Sequence, residues 1–117
     1  MQKHILLVDS DAESLSRMSQ VLRQSDYQVS VACNCDESLN MVRSLKPDCI
    51  IFDVELEGTS GTIMYSRLRR NPQTRHIPAI VCTSVGPRPV CFGTGISVLN
   101  KSCTGEALLG AVSAATA

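Results

Sequence analysis

Residues 47–61 read Pro-Asp-Cys-Ile-Ile-Phe-Asp-Val-Glu-Leu-Glu-Gly-Thr-Ser-Gly, and the apolar run Cys49 to Phe52 decides the fold. A short, unbroken apolar run closed by a carboxylate reads as a strand covered on both faces. Towards the N-terminus, Ile5-Leu6-Leu7-Val8 repeats the pattern and is closed by Asp9. Ser10 with Glu13 gives a Ser-x-x-Glu capping box, and Leu15, Met18 and Leu22 continue at helical spacing, so a helix is expected over roughly 11–24. Gln28 to Ala32 alternates polar and apolar residues as a second strand. Asp36 to Leu45 forms a second helix with Leu39, Val42 and Leu45 on one face, stopped by Pro47.

Towards the C-terminus, a glycine-bounded loop from Glu55 to Gly61 leads into a helix carrying Ile63, Met64 and Leu68 and ended by Asn71-Pro72. Ile77-Pro78 opens a fourth strand, Ala79 to Cys82, and Ser97 to Asn100 is a fifth. A final helix starts near Thr104, with Leu108, Ala111, Val112 and Ala115 inward. Strand and helix alternate throughout, which predicts an α/β fold with a parallel sheet, right-handed crossovers and helices on both faces. Residues 85–95 break the pattern. Two prolines and three glycines in that stretch make a full helix improbable, so the fourth crossover should be a loop or one irregular turn.

The 117 residues suit one domain spanning 1–117. Eleven basic residues balance eleven acidic ones, so no basic stripe points to nucleic acid, and no apolar run is long enough for a bilayer. A cytoplasmic location is expected, and with it six free thiols rather than disulfides. Cys33-Asn34-Cys35 has no second Cys/His pair at ligand spacing, Cys49 and Cys82 read as strand filler, and Cys91 and Cys103 fall in loops.

In a parallel α/β sheet the ligand site lies beyond the carboxyl ends of the strands. The polar residues there are Asp9, Asp53, Thr83 and Lys101. Singly, each has an ordinary reading as a turn former, a local hydrogen bonder or a solvated charge. Together they suit phosphoryl transfer: a carboxylate as nucleophile, carboxylates around a magnesium ion, and a hydroxyl and an ammonium for the phosphoryl oxygens.

At these residues the chain resembles the receiver domains of bacterial response regulators, the family that includes the chemotaxis regulator. The stretches that carry the resemblance are 5–11, 47–61, 77–84 and 98–101, and 47–61 is the most specific. The resemblance implies a flavodoxin-like, doubly wound five-stranded sheet of order 2-1-3-4-5 with helices on both faces, while the composition of 85–95 leaves the fourth helix short or absent. It implies that Asp53 is the phosphoacceptor and Asp9 a member of the acidic pair. The backbone carbonyl of Glu55 joins Asp9 and Asp53 around Mg2+, Thr83 is the switch hydroxyl, and Lys101 contacts the phosphoryl group. It further implies a histidine kinase or phosphotransfer protein as donor and a downstream effector or output domain as reader. The domain would be a switch rather than an enzyme, touching neither membrane nor nucleic acid. His4 and His76 read as surface histidines.

Four departures from the family pattern stand out. Ser10 replaces the second acid of the pair, so magnesium should bind weakly. Asp11 lies one residue further on and reads as a favourable charge at a helix start. Ser102 follows Lys101 where the family usually has proline, which predicts a trans bond and some displacement of the lysine. Val98 stands in place of the switch aromatic, and the fourth crossover is short. These departures motivate a second reading, a phosphorylation-independent pseudo-receiver acting as a protein-interaction module. A third, a flavodoxin-like enzyme or nucleotide binder, lacks a strand leading into a glycine-rich phosphate loop.

Overall fold

The computed structural model describes residues 2–56, 59–84 and 96–117. The expected short fourth crossover, residues 85–95, and Cys91 within it lie outside the described residues. Five strands, β1 (His4–Val8), β2 (Gln28–Ala32), β3 (Cys49–Phe52), β4 (Ala79–Thr83) and β5 (Ser97–Asn100), form one parallel sheet in the order β2-β1-β3-β4-β5. Between and after them come α1 (Ala12–Gln24), α2 (Cys35–Leu45), α3 (Gly61–Arg70) and α4 (Gly105–Ala115).

Two-residue periodicity along the strands splits the apolar residues into two cores, one on each side of the sheet. Leu6, Val8, Ile50, Phe52 and Val81 pack with Val42 of α2 and Met64 and Leu68 of α3. Ile5, Leu7, Ile51, Ile80 and Cys82 pack with Leu15, Met18 and Leu22 of α1 and Leu108 and Val112 of α4. Strands β1 and β3 are buried throughout, apart from the half-buried His4 at the start of β1, because helices cover both sides. With so few aromatics, Phe52 has one ring neighbour among the described residues, Tyr65 of α3, stacked at 5.7 Å.

Local chemistry differs from expectation in several places. The N-cap of α1 is Asp11, not Ser10: its carboxylate accepts from the Glu13 N–H at 3.2 Å, and Ser14 Oγ donates to it at 2.8 Å. Asp and Ser cap about equally well, so position decides. The Ser14 hydroxyl, helped by the Glu13 N–H and against the opposing effect of desolvation, holds the Asp11 carboxyl below the usual range. Asn34 caps α2, which begins at Cys35. Leu45 and Ile63 are exposed at 38% and 47%, because they sit at the edge of their helices' apolar stripes. The loop after Asp53 contains a small antiparallel ribbon, Glu55–Leu56 with Thr59–Ser60, just ahead of α3.

Cys35, Cys49 and Cys82 are buried free thiols. Burial pushes Cys49 up to about 12 and Cys82 up to about 11, which keeps both unreactive as filler. No helix among the described residues is long and apolar enough to cross a membrane.

Candidate functional site

Val8 and Phe52 are partners in the adjacent strands β1 and β3, so the residues that follow, Asp9 and Asp53, emerge side by side. Each main chain is anchored as if the ladder ran one residue further: Asp9 N–H donates to Ala32 C=O and Asp53 N–H to Val8 C=O, both at 3.1 Å. Asp9 is 1% exposed and Asp53 5%. Two buried carboxylates at one rim require a counter-charge.

Lys101 supplies it from the end of β5. Its Nζ lies 2.6 Å from Asp53 Oδ2, 2.9 Å from Asp9 Oδ2 and 3.1 Å from Asp9 Oδ1. Burial opposes the charge on this ammonium, but its hydrogen bonds to Asp53 and Asp9, with their negative charges, prevail. The Lys101 pKa is therefore raised above its ordinary 10.5. The expected displacement of Lys101 does not carry the ammonium away from the carboxylates. One positive charge against two negative ones leaves the trio an excess negative charge.

The remaining candidates take more peripheral places. Thr83, 2% exposed, ends β4 beside β5, and its C=O accepts the Lys101 N–H at 3.0 Å. Glu55 is exposed, and its N–H donates to Asp53 Oδ1 at 3.3 Å. Ser10, next to Asp9 in the chain, is exposed. Asp9, Asp53 and Lys101 are thus in direct contact, with Thr83 attached through the backbone and Glu55 through its amide.

Three residues outside the expected set shape the site. The Asp11 N–H donates to Asp9 Oδ1 at 2.9 Å, which turns Asp9 inward. The Arg17 guanidinium, from α1, donates to the Lys101 C=O. Asn100 Oδ1 accepts from Ser102 N–H at 2.8 Å and Ser102 Oγ at 2.7 Å, while Cys103 N–H closes the turn on Asn100 C=O at 2.9 Å. Asn before a turn is a legible signal, since its side chain mimics a backbone turn; nothing in the sequence ties Arg17 to Lys101. In a chain without proline after the lysine, these bonds fix the Lys101 backbone. Asn100→Ala should therefore cost about 1 kcal/mol in chemical denaturation and broaden or shift the Lys101 side-chain NMR signals.

The donor set also bears on a divalent cation. Asp9 Oδ2 is buried and makes no aligned hydrogen bond, its contact with Lys101 being ionic only. Among the described residues no three His, Cys, Asp or Glu gather as a ready ligand set. Magnesium is commonly held by one or two carboxylates and keeps several waters, so Asp9 and Asp53 fit it, with fewer anionic ligands than a three-acid site.

Residues 5–112 match the response regulator receiver domain family. Among curated relatives, the response regulator PleD of Caulobacter vibrioides is 32% identical over 88 residues, which are 75% of this chain and 19% of PleD. The phosphate regulon regulator PhoB of Pseudomonas aeruginosa is 34% identical over 84 residues, 72% of this chain and 37% of PhoB. The chain thus spans about a fifth to two-fifths of the length of these relatives. A putative response regulator from Chloroflexus aurantiacus superposes with a TM-score of 0.93 at 28% identity, covering 99% of this chain and 98% of that one. The chemotaxis regulator CheY4 of Vibrio cholerae shares the fold, with a TM-score of 0.89 at 24% identity over 98% of this chain and 99% of that one. The chain belongs to the response regulator receiver domain family, the signal-receiving module of two-component systems.

Proposed function

We propose that the chain, as one domain over 1–117, accepts a phosphoryl group on Asp53 from a histidine kinase or a phosphotransfer protein. One observation carries this reading: a buried Asp53 carboxylate bridged by Lys101 Nζ to a second buried carboxylate, at the carboxyl ends of adjacent parallel strands. In the transfer, an Asp53 oxygen forms a bond to phosphorus, the bond from phosphorus to the donor's imidazole nitrogen breaks, and that nitrogen keeps the electron pair. Lys101 Nζ stays within reach of the phosphoryl oxygens and balances their charge, and the Thr83 hydroxyl donates to one of them. Asp9, Asp53 and the Glu55 carbonyl would hold Mg2+, which when bound supplies charge neutralisation for the transferring oxygens. Ser10 in place of an acid makes that ion weakly held. The domain works in the cytoplasm as a switch read by a downstream effector or output domain, not as an enzyme with a substrate of its own.

The test is to incubate the chain with magnesium and acetyl phosphate or beryllofluoride, following Asp53 by mass spectrometry and amide NMR. Wild type should be modified, Asp53→Asn should lose modification entirely, and half-saturation should need more magnesium than in a three-acid receiver. A wild-type chain that stays unmodified and unperturbed at millimolar magnesium overturns the reading. That result would favour the interaction module, which the exposed Ser10 beside Asp9 already supports.

A further inference from the structure

The chain is neutral overall, yet its charges are unevenly placed on the α2–α3 side. A cavity of about 550 Å³ runs between these helices and is lined by Arg43 of α2 and Arg67 and Arg70 of α3, with Asp36 as its one acid. A second cavity of about 450 Å³ adjoins it, shares Arg43 and Thr74, and adds Lys46 and His76. Four permanent cations face one carboxylate along a continuous groove. Arg67-Leu68-Arg69-Arg70 is a short basic run, but Arg43 and Lys46 are brought to Arg67 and Arg70 only by packing α2 on α3.

The partners of Arg67 are weak. Arg67 Nη1 stands 3.9 Å from Asp36 Oδ1, both side chains largely exposed, and 3.8 Å from Cys35 Sγ. An exposed pair at that distance contributes little to stability, so the Arg67 guanidinium is available to an incoming anion. Guanidinium forks match carboxylates and phosphates equally well in geometry. The rest of the lining decides between them. It holds the amides of Asn40, Asn71 and Gln73 and aliphatic surface from Leu39 and Ile77, with no Phe, Tyr or Trp and only the His76 imidazole on which a nucleobase could stack. Side-chain amides between cations suit a peptide backbone flanked by carboxylates.

We propose that the α2–α3 groove is a docking surface for an acidic peptide segment of a partner protein. The second cavity opens beside Lys46 and Pro47, ahead of β3, and beside Ile77, ahead of β4; it therefore lies at the amino ends of these strands, opposite Asp53. Docking there is independent of the reading given to Asp53, and Asp53→Asn should leave it unchanged.

The test measures fluorescence anisotropy of a fluorescein-labelled peptide of alternating glutamate and serine against the full chain, with ATP and single-stranded oligothymidylate as competitors. Saturable binding should weaken as salt rises. The Arg43→Gln, Arg70→Gln double variant should bind about tenfold more weakly, while Arg23→Gln on α1 should match wild type. Asp36→Asn, which removes the one acid and frees Arg67, should bind more tightly, a gain that misfolding cannot produce. Absence of saturable binding at low salt, equal loss in Arg23→Gln, weaker binding by Asp36→Asn, or preferential binding of ATP or the oligonucleotide would each overturn the proposal.

Discussion

Lys101→Met should destabilise the domain by about 3 kcal/mol and cut phosphoryl uptake by about a hundredfold, the largest loss expected from any single side chain other than Asp53 itself. Methionine preserves the length and apolar stem of the side chain, so the change isolates the charge. Asp9 and Asp53 are 1% and 5% exposed, and Lys101 Nζ, within 2.9 Å of both, is their shared counter-ion. Removing it leaves two uncompensated buried carboxylates, and the penalty falls on the folded state alone. The pH dependence of wild type has a definite sign. The folded-state pKa of Lys101 is raised, so its stabilising contribution is fully present below the ordinary value of 10.5 and is lost as pH rises above it. Urea denaturation of wild type and Lys101→Met should therefore show a gap that is constant near neutrality and closes in strong alkali. Equal stability of the two proteins at neutral pH would mean that solvent, not the ammonium, compensates the carboxylates.

How far this trio was legible in the sequence depends on which level of structure each residue draws on. The sequence pattern placed β2, β3 and β5 to the residue and β1 and β4 to within one residue; β3 is the clearest case, because a strand buried on both faces leaves its composition no freedom. The same pattern placed Asp9, Asp53, Thr83 and Lys101 at one rim, since parallel strands align their carboxyl ends. Ser10 as the α1 cap failed because Ser10 and Asp11 are adjacent and chemically equivalent caps, and the choice depends on where Asp9 must turn inward. Arg17 on the Lys101 carbonyl was invisible for another reason: it links residues 84 positions apart in the chain, which only the packing of α1 brings together. The arginine groove belongs to the same class. Its cations come from two helices, and net charge averages them away.

Gly61→Val should be the most disruptive change in the loop that follows Asp53, with Gly61→Ala close behind. A Cβ at position 61 would stand 2.0 Å from the Asp53 carbonyl oxygen and 2.9 Å from both the Asp53 carbonyl carbon and Phe52 Cδ2. No rotamer relieves this, because two of the three obstructing atoms are backbone. Gly61 N–H also donates to Val54 C=O at 2.7 Å, which pins the start of α3 against the end of β3. The glycine is needed here for close approach of two main chains. Either α3 moves off, breaking the packing of Met64 on Phe52, or the Asp53 backbone shifts and carries the carboxylate away from Lys101. Overpacking of this kind costs about 1–3 kcal/mol for alanine and more for a β-branched side chain. Gly110→Ala in α4 is the matched control. Nothing lies within 4 Å of its added Cβ, and a glycine replaced in a helix interior should gain about 0.5–1 kcal/mol. Denaturation midpoints of the variants, with uptake from acetyl phosphate, separate the two routes. If α3 yields, stability falls and the Asp53 chemistry survives in the folded fraction. If Asp53 yields, uptake falls further than stability does. A Gly61→Ala protein as stable and as readily modified as wild type would show that the two main chains are not in the close contact that places Asp53.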